Sequence, residues 1–104
     1  MSRSPADVFA EHCARGELAY QLDADGRPLF PPRVRGAQWR VSSGTGTVYA
    51  TTTVHRRGEE PYDVSLIDLD EGFRMMSRVN GEHRIGTRVR VRFDEDVPVF
   101  EVDA

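Results

Sequence analysis

Apolar residues recur at helical spacing only near the start of the chain and at alternate positions almost everywhere after it. Ser4-Pro5-Ala6-Asp7 predicts a helix start. Ser4 suits the N-cap, Pro5 the first helical position, and Asp7 the capping-box position with the sign that the helix dipole favours. Ala6, Phe9 and Cys13 share one face, Val8 widens it, and Gly16 is a natural stop. A helix of about 11 residues does not hold by itself in water, so it must dock on a barrel or a partner.

Leu18 to Phe30 reads as a hairpin with Asp23-Ala24-Asp25-Gly26 as its turn, and Pro31-Pro32 ends it in an extended segment. A short strand, Gln38 to Val41, surrounds Trp39 and breaks at Ser42-Ser43-Gly44. From Thr45 on the pattern is β. Thr47 to His55 alternates, with Val48, Ala50, Thr52 and Val54 on one side and Tyr49, Thr51, Thr53 and His55 on the other. Tyr62 to Leu69 slips at Leu66-Ile67, the mark of a bulge or of a strand buried on both faces. Asp70-Glu71-Gly72 turns into a strand from Phe73 to Val79, and Asn80-Gly81 turns again. In the strand that follows, Val89, Val91 and Phe93 face inward and Arg88, Arg90 and Arg92 outward. Asp94-Glu95-Asp96 turns the chain into the closing strand, Val97 to Val102. Five such strands, the first long enough to bend across two sheets, suit a Greek-key barrel of OB type; periodicity alone does not separate this from a sandwich.

At 104 residues the chain supports one modest core, and 30% charged against 38% apolar residues fits a folded domain rather than a disordered one. No apolar run nears the ~20 residues that span a bilayer, and the first residues lack the apolar stretch of a secretory signal. One cysteine excludes an internal disulfide and a cysteine metal cluster, and the expected compartment is cytoplasmic. The net charge is −3 and all 14 basic residues are arginine. That balance argues against nucleic acid, whose binders neutralise phosphates with a basic surface.

Three stretches then resemble a known family: Phe30-Pro31-Pro32-Arg33, Gly46-Thr47-Val48-Tyr49 with Val54-His55-Arg56, and Pro61 to Gly72 followed by Arg84 to Val91. They resemble the zinc-ribbon/OB-fold, acyl-CoA-associated proteins catalogued as domain of unknown function thirty-five, over nearly the whole chain from about Phe9. The resemblance implies a mainly β protein: a five-stranded OB-fold barrel over 42–104, preceded over 1–41 by a short helix and a rubredoxin-like zinc-ribbon hairpin. Members place Cys-x-x-Cys-Gly before the Phe-Pro-Pro-Arg and a second Cys-x-x-Cys after it. Here the first pair falls on Leu22 and Asp25 and the second is absent, so the ribbon is degenerate and no zinc is expected. The resemblance further implies a non-catalytic accessory subunit in a hetero-oligomer with a thiolase-fold enzyme (a thiolase, acyltransferase or lipid-transfer-like aldolase). Such a subunit would contact the acyl-CoA without holding a permanent cofactor, and would self-associate or need co-expression when made alone.

Arg33, Arg35, Arg56 and Arg57 are the candidates for CoA phosphates, because guanidinium grips phosphate as a fork; the bland alternative is loop charge paired with Glu59 and Glu60. The helix, the hairpin and one barrel face would form the partner interface, with Phe9, Tyr20, Phe30 and Trp39 as its aromatic contacts. His12, His55 and His83 stand at no metal-ligating spacing, and His55 reads as an exposed strand end. Cys13 on the apolar helix face reads as a small hydrophobe, and of Met75-Met76 one must point outward. The Arg88-Arg90-Arg92 stripe could suit single-stranded nucleic acid, the alternative function, but it lacks stacking aromatics and reads instead as a solvated or salt-bridged face. No nucleophile elbow, phosphate loop or carboxylate pair argues for an enzyme acting alone.

Overall fold

The computed structural model describes residues 3–103. Helix α1 (Pro5–Ala14) opens with the expected capping box: Ser4 Oγ accepts from the Asp7 N–H and the Asp7 carboxylate accepts from the Ser4 N–H. Gly16 at φ 77 ends it. Its docking contacts are Cys13, 3% exposed, and Phe9, edge-on to Phe30 with centroids 5.7 Å apart. Ala6 is exposed, so the docked stripe is narrower than the spacing suggests.

The strands form two sheets. β1 (Ala19–Leu22), β2 (Pro28–Leu29) and β3 (Gln38–Val41) pair in the order β2-β1-β3. The larger sheet holds β4 (Thr45–Val54), β5 (Tyr62–Leu69), β6 (Arg74–Ser77), β7 (Val79–Asn80), β8 (Arg88–Asp94) and β9 (Val97–Val102), in the order β6-β5-β4-β8-β9-β7. Its two edges, β6 and β7, are separated in sequence only by Arg78. The single strand expected from Phe73 to Val79 is therefore broken: its first part pairs antiparallel with β5 and its last two residues pair parallel with β9. That break closes the sheet on itself and makes it an OB barrel rather than an open sandwich. Ser77 Oγ donates to the Pro98 carbonyl at 3.1 Å, and the Phe100 N–H to the Arg78 carbonyl at 2.9 Å, across the closure.

The bulge lies on β4, not on β5. Val48 pairs with Ile67 and Ala50 with Leu66, leaving Tyr49 as the extra residue. β5 itself alternates cleanly, with Ser65, Ile67 and Leu69 buried. Because the bulge shifts the register by one, Val48 faces the core while Ala50, Thr52 and Val54 pass to the other side, correcting the uninterrupted alternation expected for this strand. Where β4 starts, a Cβ on Gly46 would sit 2.5 Å from the Asp68 carbonyl oxygen, so only glycine permits the close approach to β5.

One core serves both sheets. Leu18, just before β1, and Tyr20 on it are buried with Val48, Ile67, Phe73, Val89 and Phe100 of the barrel, and Phe9, Leu22 and Phe30 pack on them. Glu71 ties the link between the sheets, accepting from Ser42 Oγ at 2.6 Å and the Ser43 N–H at 2.8 Å. No helix among the described residues is long and apolar enough to cross a membrane.

Candidate functional site

The hairpin that resembles a zinc ribbon is organised around an amide. Gln21, wholly buried on β1, donates from Nε2 to the Val34 carbonyl at 2.7 Å, and its Oε1 accepts from the Arg33 and Val34 N–H groups at 2.9 and 3.1 Å. These bonds hold the loop after Pro31-Pro32 against β1. At the hairpin tip the Asp23 carboxylate accepts from the Asp25 and Arg27 N–H groups, both at 2.9 Å. Leu22 is half-buried against the core and Asp25 is exposed.

Beneath the hairpin runs a train of rings: Phe9 on Phe30, Phe30 on Phe73 (5.2 Å) and Phe73 on Tyr20 (4.7 Å). Tyr20 is 7% exposed; Phe9 and Phe30 are half-buried. Trp39, also half-buried, stacks on His12 at 5.7 Å and so joins β3 to α1. The four aromatics named as partner contacts thus lie in one region. They turn much of their area toward neighbours in this chain, leaving mainly the Phe9, Phe30 and Trp39 edges at the surface.

The four arginines are divided. Arg33 and Arg35 lie on the loop that Gln21 holds, and Arg35 borders a cavity of ≈ 470 Å³ lined by small-sheet residues. Arg56 and Arg57 are exposed in the loop between β4 and β5. The two pairs therefore belong to different sheets. The outward stripe on β8 is spent within the chain: Arg88 grips Asp70 through two bonds of 2.8 Å, and Arg90 and Arg92 pair with Glu101. The Arg88 fork and the Thr45 hydroxyl together hold the Asp70 carboxyl down to about 2.

At the barrel end beyond the bulge lies a polar cluster that spacing did not reveal. His83 Nε2 lies 3.0 Å from an Asp63 carboxylate oxygen and Nδ1 lies 2.7 Å from the Gly81 carbonyl oxygen. Thr51, Ser65 and the Val79 N–H bond the same Asp63 carboxylate. Burial pushes this carboxyl up, but the Val79 N–H, Thr51, Ser65 and His83 together hold it below its usual range. Thr51 Oγ1 and Ser65 Oγ also lie 3.2 and 3.5 Å from His83 Nε2, so the side chains of the cluster bond one another. Cys13 is inert: burial and then the Asp96 charge push its thiol up.

Beside the barrel closure a cleft of ≈ 580 Å³ opens between β5–β6 and the β8–β9 turn, lined mainly by apolar side chains including Tyr62, Met76 and Val97. The barrel that carries it has known counterparts. Residues 39–94 match the family described as ChsH2, C-terminal OB-fold domain. The chain belongs to this family. Among solved structures it is similar to an "Ltp2-ChsH2(DUF35) aldolase", at 25% identity over 98% of this chain and 96% of that one, with a TM-score of 0.75. It also shares the fold of a DUF35-family protein of unknown function from Sulfolobus solfataricus, at 12% identity over 95% of this chain and 85% of that one, TM-score 0.73. No curated protein matches it.

For this member of the ChsH2 OB-fold family, the residues present do not fit the zinc that the ribbon resemblance brings with it. The first ligand pair is Leu22 and Asp25, one apolar and one at the exposed tip, and the loop where the second pair would stand is bonded to Gln21. Among the described residues no three His, Cys, Asp or Glu side chains converge as a metal site.

Proposed function

We propose that this chain is a non-catalytic accessory subunit that binds a thiolase-fold enzyme and contacts the edge of its acyl-CoA substrate. The observation that carries this reading is the end-to-end likeness to a structure described as an Ltp2-ChsH2(DUF35) aldolase, in which ChsH2 is named beside a second component. The pairing of Arg88, Arg90 and Arg92 with carboxylates of the same chain takes up the β8 stripe on which the nucleic-acid reading rested, so the accessory reading stands ahead of the OB-type nucleic-acid binder.

The test is affinity purification of the tagged chain from its native host, followed by mass spectrometry. A thiolase-fold enzyme in near-stoichiometric amount is expected. A monomer that elutes alone overturns the reading. On the purified complex, Arg56→Ala/Arg57→Ala should raise the acyl-CoA KM by about 3–10-fold, a typical effect of losing exposed phosphate contacts, without moving the thermal midpoint. An unchanged KM removes these two arginines from the CoA contact.

A further inference from the structure

Beyond the bulge the β4–β5 hairpin carries polar residues on its barrel side and mostly apolar residues on its outward side. Ile67 and Leu69 point into the barrel, and Ser65 and Asp63 follow them on the same face of an alternating strand. Cross-strand partners share a face, which places Thr51 opposite Ser65 and Thr53 opposite Asp63 on that inner side. The outward side carries Ala50 opposite Leu66, Val54 opposite Tyr62, and Met76 of β6 opposite Leu66. Met76 is 68% exposed and Tyr62 39%. On the barrel side Ser65 is buried and Asp63 half-buried while Thr51 and Thr53 are exposed; the outward side presents Met76 and Tyr62 to water beside half-buried Ala50, Val54 and Leu66.

This face runs into the cleft beside the closure. Val64 and Met76 line both that cleft and the depression over Ala50 and Leu66, and the cleft extends to Val97, 56% exposed. Its far rim is the β8–β9 turn. Asp94 is paired with Arg78 at 3.2 Å, whereas Glu95 and Asp96 make no ion pair among the described residues. Glu95 at φ 50 and Asp96 at φ 65 both occupy the left-handed region, where Asn-Gly would sit with less strain. Of the two, Glu95 lines the cleft, while Asp96 acts on the Cys13 thiol; a carboxylate without an ion pair, held at a strained turn on an apolar cleft, points to use by a ligand.

We propose that this outward face of β4, β5 and β6, with the cleft it enters, is where the partner enzyme docks. The enzyme contributes an apolar segment flanked by an arginine or lysine that reaches Glu95. The proposal rests on the accessory-subunit reading and names the surface that serves it. A second copy of the chain is a poorer occupant. A two-fold contact sets the face against itself, so each acidic turn would meet a chain of net charge −3 carrying the same acidic turn.

The test uses full-length tagged chains in the native host: wild type, Met76→Glu, Val97→Glu, Glu95→Lys/Asp96→Lys, and the control Ile85→Glu, which lies off the face and is 66% exposed. The enzyme that co-elutes with wild type is quantified for each, after circular dichroism confirms the fold. Ile85→Glu should retain it fully, the two apolar-face variants should lose it by about tenfold or more, and the lysine pair should lose several-fold. Full retention by Met76→Glu and Val97→Glu overturns the face while leaving the accessory role intact. A wild type that retains no enzyme overturns the accessory role and the assigned occupant with it. A wild-type dimer that Met76→Glu dissolves in sedimentation gives the face to a second copy and likewise overturns the proposal.

Discussion

Gln21 bridges three backbone groups that would otherwise be orphaned inside a loop containing two prolines. Replacing it by leucine keeps the volume roughly but strands those groups, which should cost about 2–4 kcal/mol in chemical denaturation. Excess chelator should leave the same midpoint unmoved; a fall would reveal a structural metal. Nothing in the sequence singled out Gln21, because a lone polar residue on a hairpin strand ordinarily faces water. Its burial depends on Pro31-Pro32 folding the next loop back over it, a tertiary event. Cys13 was legible by contrast, since its helical spacing from Phe9 already placed it on the docked side. So was the pair Met75-Met76, where adjacency on a strand forces one in (6% exposed) and one out (68%).

At the scale of elements, the slip at Leu66-Ile67 pointed to a bulge on β5 or a strand buried on both faces, yet β5 carries no bulge and alternates without interruption. Register is a relation between two strands, so an insertion on β4 shows in the pairing and not in the alternation of the neighbouring strand. Only the pairing shows Tyr49 to be the insertion, and with it the reversal of Ala50, Thr52 and Val54. The β8–β9 turn offers a direct check on strain. Glu95→Asn/Asp96→Gly supplies the residues that a two-residue hairpin with positive φ prefers, and should raise stability by about 0.5–1 kcal/mol. The same change removes both carboxylates and should weaken enzyme retention. A variant that gains neither stability nor a binding defect would show that the turn is unstrained and unused.

The molecule as a whole should unfold in one step, because Tyr20 of the small sheet and Leu18 just before it are packed in the barrel's core. Trp39, the one tryptophan, reports β3, whereas far-ultraviolet dichroism reports mostly the barrel; the two transitions should coincide, and separate midpoints would show independent units. Acid should act on the carboxyls held low in the fold, Asp63, Asp70 and Glu71 among them. Asp63 and Glu71 are held low by hydrogen bonds that outweigh burial, and Asp70 by Arg88. Each has a folded value below its unfolded one, so its contribution is complete above the ordinary carboxylate range and is lost as pH falls through the folded value. The denaturation midpoint should therefore be level above about pH 5 and decline from there toward about 2, where Asp70 titrates; a decline beginning near neutrality would contradict it. The fold class was legible from the five alternating segments and the ordered family stretches. The break at Arg78 was not, since one residue of disrupted pairing leaves no trace in periodicity.

That break gives the barrel a seam. A ring of strands closed by a two-residue parallel pairing at Val79 and Asn80 opens more readily there than along the long ladder between β4 and β5. The Phe100 amide, bonded across the seam to the Arg78 carbonyl, should exchange its hydrogen faster than equally buried amides on β5. Since the apolar cleft lies along this same line, a partner seated in it would act as a clasp. Its arrival would then register as slowed exchange at a residue it never touches.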